Sequence, residues 1–246
     1  MHSRRGFLRR AGALAALPSL GTLGCSSTPN TGRSGSPGSS GDTVDWFQVD
    51  WERDKLAKGV VTDTFVIHHT ARAPGITWQE LSALQLRTLY EPRYTCDGCG
   101  DPEVRGQRPH SGHYRLVKGR MEEVFYAYHF MIRQNGAIEP LLRTEEVGWH
   151  AGNWAVNMRS LAICFDGDFS TAHPPEPAMI AAGGIMNALA KAHPLRYLAG
   201  HQEVILTGPT VCPGSWLLTR GPDGQTGKAR LLDMANLDLK DLVLER

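Results

Sequence analysis

What this chain lacks narrows its class before any motif is read. It has no excess of either charge: 26 Lys and Arg stand against 25 Asp and Glu. Setting aside Arg4, Arg5, Arg9 and Arg10, which sit in an N-terminal signal, leaves 22 basic groups against the 25 acidic ones. A slightly acidic mature chain carries no electrostatic footprint for nucleic acid. The apolar stretch behind those arginines, residues 11–23, is too short to span a bilayer as a mature helix. No period of the kind that builds solenoids or propellers is visible. The His-Glu-x-x-His pattern of helix-borne zinc peptidases is also missing. Cysteines number only five, Cys25, Cys96, Cys99, Cys164 and Cys212, few enough to weigh one by one.

What is present at the amino end has the form of an export signal over residues 1–25, with Arg4-Arg5, an apolar pair at Phe7-Leu8, a short apolar run and small residues at its close. The twin arginine points to the route that carries folded proteins. Thr22-Leu23-Gly24-Cys25 resembles a lipoprotein processing site, and an ordinary signal with an incidental cysteine is the alternative. Residues 26–43 are mostly Ser, Gly, Pro, Thr and Asn, a composition that cannot bury enough apolar surface to offset its ordering entropy, and they are expected to form a flexible linker. Residues 44–246 are enough for one domain with a sizeable core. The expectation is an exported monomer in the periplasm or cell envelope, held at a membrane if Cys25 carries lipid.

Residues 60–69 form a β-branched, apolar run that ends on His68 and His69. Neighbours on a strand point to opposite faces, so one of the two can face a given cleft. Thr77 and Glu80 form a capping-box pattern, and Leu81, Leu84, Leu86 and Leu89 follow at helical spacing until Pro92. Residues 124–133 alternate in the manner of a strand, meet Asn135-Gly136 and return through 137–142, the strongest short hairpin signal available, with Pro140 marking an edge. Tyr128 and His129 then face opposite ways. Ser160–Phe165 reads as a buried strand, and 179–192 as a helix that carries Gly183 and Gly184 at about 1 kcal/mol each relative to alanine. Residues 196–199 form a short strand that delivers His201. The fold class is therefore α/β: a mixed β-sheet with an antiparallel hairpin, helices packed on its faces, and a single domain. In such sheets ligands bind beyond strand ends, where His68 and His201 lie.

Two imidazoles, one from the His68-His69 pair and one at His201, with a thiolate at Cys212, are what a catalytic zinc needs when it keeps its fourth position for water. Taken singly, each has a plainer reading as a structural histidine or a small core residue. Six blocks in chain order change the odds: Ile67-His68-His69-Thr70-Ala71, Tyr128-His129-Phe130, the run from Gly148 to Asn153, the run from Ser160 to Phe169, Gly200-His201, and Thr210-Val211-Cys212-Pro213-Gly214. Together they resemble the zinc-dependent N-acetylmuramoyl-L-alanine amidases, the group that includes the phage-lysozyme-type amidases and the peptidoglycan recognition proteins.

The resemblance implies that His68, His201 and Cys212 bind Zn2+, with His69 facing away. It places Tyr128 as the phenol that hydrogen-bonds the attacking water or the developing oxyanion, and Thr210 as a cleft residue two before the cysteine. Trp149, His150 and Asn153 become a wall of the substrate groove. The implied reaction is hydrolysis of the amide joining N-acetylmuramic acid to L-alanine in peptidoglycan. Where the branch that acts on anhydro-muropeptides has a strand glutamate, this chain has Cys164, and it keeps Tyr128, which favours the phage-lysozyme and recognition-protein branch. The alternative function is a non-catalytic peptidoglycan-binding module of the same fold, as in members that have lost the cysteine ligand. The step from His201 to Cys212 is longer than usual in the family, with an insertion around residues 206–209. Residues 93–120 show no clear period. Cys96 and Cys99 there are read first as a disulfide, with a second zinc site shared with His110 and His113, or free thiols, as the other readings.

Overall fold

The middle of the sheet is built from two strands buried along their whole length, β1 (Thr64–His69) and β6 (Ser160–Phe165). They run parallel, with Thr64 opposite Ser160 and His69 opposite Phe165. Burial on both faces is why each reads as an unbroken run and not as an alternation. On the far side of β1 lie β7 (Tyr197–Gly200) and then β8 (Lys240–Asp241), both parallel. On the far side of β6 lies β4 (Phe130–Ile132), and β5 (Ile138–Pro140) closes that edge antiparallel to β4. The order is β5-β4-β6-β1-β7-β8, a mixed sheet with one antiparallel pair. The computed structural model describes residues 60–95 and 105–242, so the export signal, the linker, Cys25, Cys96 and Cys99 lie outside the described residues.

Strand alternation decides what each face carries. Phe65, Ile67, Leu161, Ile163 and Phe165 point to one side, into a core closed by α4 (Glu176–Ala190) and α6 (Gly227–Ala235). The cost of Gly183 in the middle of α4 has a packing reason. A Cβ there would lie 2.6 Å from Met234 Cβ, so the two helices meet through the missing side chain. Gly184 points to open space, and nothing in the packing requires it. The opposite face carries Val66 and Ala199, covered by Val156 of α3 (Trp154–Arg159) and Val204 of α5 (His201–Val204). His68 continues the Val66 side, and His69 the Ile67 side.

The first helix begins as its capping box predicts. Thr77 accepts from the Glu80 N–H at 3.3 Å, and the Glu80 carboxylate accepts from the Thr77 N–H at 2.8 Å. Where the sequence places the end at Pro92, the chain instead runs on from α1 (Trp78–Gln85) through a π-helical turn (Leu86–Tyr90) into α2 (Glu91–Thr95). The π turn lengthens the ladder, with Glu91 N donating to Leu86 O. Pro92 thus falls at the second position of a restarted helix, where its missing N–H and fixed φ are tolerated.

The hairpin also differs from its expected length. Only 130–132 and 138–140 pair, around Gly136 at φ 87°. Residues upstream leave the sheet because their backbone groups find other partners: Val124 N donates to His113 O at 3.0 Å and Phe125 N to Ser82 Oγ at 2.9 Å. The region without a period contains a second hairpin, β2 (Tyr114–Val117) with β3 (Arg120–Glu123). Its two-residue turn has Lys118 and Gly119 at φ 49° and 77°, both left-handed, the conformation that matches strand twist.

Candidate metal centre

Three elements converge beyond the ends of β1 and β7. His68 comes from β1, on the face opposite the α4 core. His201 is the first residue of α5, immediately after β7. Cys212 sits on the following loop, whose path is fixed by Gly214: with φ 114°, a Cβ there would lie 1.9 Å from Phe169 O. One ligand atom from each of His68, His201 and Cys212 lies within 4.8 Å of the others, the one such group among the described residues. Cys212 Sγ is 3.7 Å from His68 Nδ1 and accepts from the His69 N–H at 3.4 Å. His201 Nε2 is buried with no hydrogen-bond partner, a polar atom left for something else to engage.

Burial dominates the electrostatics here. It pushes His68 well below the ordinary histidine range, with the neighbouring His201 and His150 rings adding to the effect. It lowers His201 to about 4, with His69 adding to the shift. It raises the Cys212 thiol to about 12, against a smaller opposing effect of the His69 N–H. At neutral pH the cluster is therefore two neutral imidazoles and a protonated thiol. A divalent cation would reverse the last of these, since a coordinating thiol gives up its proton. Two nitrogens and one sulfur at this separation fit zinc.

Tyr128 faces the same place, its ring 5.0 Å from that of His68. Burial, then the nearby Cys164 and Cys212, push its phenol well above the usual range, so it keeps its proton; the Gln85 and Cys164 side chains are its hydrogen-bonding neighbours. Thr210 Oγ1 accepts from the Cys212 N–H at 3.2 Å, leaving its own proton to donate elsewhere. Two cleft lobes, of about 590 Å³ and about 520 Å³, meet at His201 and Trp149. Tyr128, Gln85, Arg72 and Thr210 line the first; Trp154, Pro92 and Ile205 line the second.

The three expected groove-wall residues all line the cleft, Trp149 and His150 along both lobes and Asn153 along the second, but their side chains engage different partners. Trp149 lies along both lobes, stacked on Tyr90 at 4.7 Å, with the Arg93 guanidinium 5.0 Å from its ring centre. His150 is buried behind His68: its Nδ1 is 3.0 Å from His68 Nε2, and its Nε2 is 3.0 Å from Ser160 Oγ. Asn153 is committed to the fold, since Oδ1 caps α3 by accepting from Val156 N at 3.4 Å and Nδ2 donates to Val204 O at 3.2 Å. His69 turns away, its Nδ1 accepting from the Phe169 N–H at 2.9 Å.

Gln85 and Ser160 were missed from sequence. A signal for Gln85 existed: it lies four residues after Leu81, a polar side chain on the apolar stripe of an amphipathic helix, and it is buried with Oε1 unpartnered. Ser160 gave none. His110 pairs with Glu123 at 2.8 Å while His113 donates inward to Val147 O at 3.1 Å, so these two imidazoles do not converge on one point.

The model of the N-acetylmuramoyl-L-alanine amidase family matches residues 58–215. The chain belongs to this family. No curated protein matches it. Among solved structures, it is similar to the N-acetylmuramoyl-L-alanine amidase LysC from Clostridium intestinale URNW, with 20% identity over 75% of this chain and 91% of that one and a TM-score of 0.49. The Ph2119 endolysin from the Thermus scotoductus MAT2119 bacteriophage gives 20% identity over 75% and 94%, TM-score 0.48. The Drosophila peptidoglycan recognition protein SD gives 21% over 78% and 95%, TM-score 0.41. This amidase-family chain thus keeps, on one cleft, a two-histidine, one-cysteine cluster and a protonated phenol.

Proposed function

We propose that this member of the family is an active zinc-dependent amidase that hydrolyses the amide between the lactyl group of N-acetylmuramic acid and L-alanine of the peptidoglycan stem. The observation that carries the reading is the convergence of His68, His201 and Cys212 within 4.8 Å, with one imidazole nitrogen left unpartnered. Zinc held by these three would supply a Lewis acid of net charge about one and a water acidified towards a pKa of about 7.

The remaining steps fall to the chain's own groups. Tyr128, protonated and beside His68, donates to the carbonyl oxygen as that atom takes on negative charge, a role typically worth about 2.7–4 kcal/mol. Thr210 offers a second hydroxyl from the rim. A substrate that is sugar on one side of its scissile bond and peptide on the other suits a cleft with two unlike lobes. The lobe with Trp149, Trp154 and Pro92 offers aromatic faces to a sugar. The lobe with Arg72 and Gln85 offers a cation and an amide to an acidic peptide. Export through the twin-arginine signal and anchoring through Cys25 belong to the same proposal.

The test is incubation of the purified domain with a peptidoglycan digest, with mass spectrometry for separated glycans and free stem peptides. Cleavage that stops with chelator and returns with zinc is the expected result. Tight binding of muropeptides without cleavage, at full zinc occupancy, would instead make this a binding module.

A further inference from the structure

In the cleft wall, His68 is joined through His150 to a chain of hydrogen bonds in which His150 and Ser160 have no part in the proposed reaction. Ser160 Oγ donates to Val156 O at 2.6 Å, and His150 Nε2 lies 3.0 Å from the same oxygen. A serine hydroxyl has a single proton, and the carbonyl, which has none to give, has taken it. The His150 contact must therefore run the other way, from Nε2–H to Ser160 Oγ. With its proton on Nε2, neutral His150 presents a lone pair at Nδ1, 3.0 Å from His68 Nε2. His68 must then donate from Nε2, which leaves its Nδ1 lone pair directed towards Cys212 Sγ, 3.7 Å away.

We propose that His150, oriented by Ser160, is a positioning residue that fixes His68 as the Nε2–H tautomer, so that Nδ1 is the nitrogen presented to the metal. The opposite tautomer would set two lone pairs against each other across 3.0 Å and turn an N–H into the ligand cluster. The support for His150 is itself built in. Asn157 Oδ1 accepts from the backbone N–H groups of His150 at 3.2 Å and Ala151 at 2.8 Å, and Val156, Asn157 and Ser160 all come from α3 or the first residue of β6. The ring is held from its backbone and from its far nitrogen, which leaves it one way to face His68.

The proposal rests on the zinc reading for its purpose, and its first test does not need zinc. In metal-free protein with 15N-labelled histidine, two-bond proton–nitrogen correlations report which ring nitrogen carries hydrogen. The expected pattern is Nε2–H with bare Nδ1 for both His68 and His150; His68 protonated on Nδ1 overturns the proposal. The second test is the zinc dissociation constant by chelator competition. His150→Phe should weaken zinc about 10- to 100-fold, the usual effect of losing such a partner. His150→Gln, whose carbonyl can accept from His68 Nε2–H, should recover most of that loss, whereas a merely space-filling role predicts no such recovery. Ser160→Ala should mix the His150 tautomers while leaving its ring in place, so the proposal stays testable if His150→Phe does not fold. Unchanged zinc affinity in a folded His150→Phe refutes it. Wild-type protein that binds no zinc would refute the proposed function, while the tautomer pattern would still decide the role of His150.

Discussion

Burial of His201 makes the metal-free protein sensitive to acid, and the size of the effect can be worked out. An ordinary histidine titrates near 6.5, whereas His201 in the fold is held down to about 4. Above pH 6.5 neither folded nor unfolded chain protonates this ring, and it contributes nothing to pH dependence. Below 6.5 the unfolded chain takes up a proton that the native state refuses, so stability falls as the pH falls, until the native ring also titrates near 4. Between pH 7 and pH 5 this linkage costs about 2 kcal/mol from His201 alone. His68, shifted the same way, adds to it. Urea unfolding of chelator-treated protein at the two pH values measures the total. His201→Gln, which cannot titrate, isolates the component: the variant should lose about 2 kcal/mol less than wild type over the same interval. Equal losses in the two proteins would mean that His201 protonates in the folded state as readily as in the unfolded one, and the buried ligand cluster would not be as described.

Four further outcomes follow from the geometry. With Cys212 protonated and both imidazoles neutral before binding, zinc should displace a single proton, so its apparent affinity should rise about tenfold per pH unit between pH 6 and 8; a slope near zero would show a thiolate already formed. Metal analysis should give one zinc per chain in wild type and none in the His68→Ala, Cys212→Ala double variant. Tyr128→Phe should lower kcat on a muropeptide by about 100- to 1000-fold with zinc content unchanged, and wild-type turnover would reduce the phenol to packing. On α4, Gly183→Ala should cost about 1–3 kcal/mol by forcing a methyl against Met234, while Gly184→Ala, facing open space, should stabilise by about 1 kcal/mol, a pair that thermal unfolding can separate.

Much of the sheet could be read in advance because its central strands are buried on both faces. Such strands must be apolar throughout, and 64–69 and 160–165 are so apart from the few side chains that the site or the helix ends employ. The capping box and the Asn-Gly turn were legible for a similar reason, since each is a local hydrogen-bonding solution that needs no distant partner. What escaped depends on distant partners. Residues 124–129 have the alternation of a strand, yet at its start His113 and Ser82 capture the backbone N–H groups of Val124 and Phe125. Pro92 reads as a stop, and a π turn upstream makes it a restart.

The site divides along the same line. The convergence of His68, His201 and Cys212 was legible because a candidate metal ligand is recognised by its own side chain and by the strand or loop that ends at it. The tryptophan–histidine pair at 149 and 150 looks uniform in sequence, as two groove-wall residues, and in the fold the two side chains do different work. Gly148 is the reason: a Cβ there would lie 2.1 Å from Ala127 O, so the chain runs against the backbone beside Tyr128 and then turns. Both residues line the cleft, but Trp149 stacks on Tyr90, whereas His150 turns its ring nitrogens to His68 and to a serine ten residues on that looks like any first residue of a strand. Motif reading finds groups that act on a ligand directly. It does not find the groups that orient those groups, because their identity is fixed by which donors and acceptors remain once the fold has formed. Ser160 is a case in point: its role follows only after its one proton has been assigned to Val156 O.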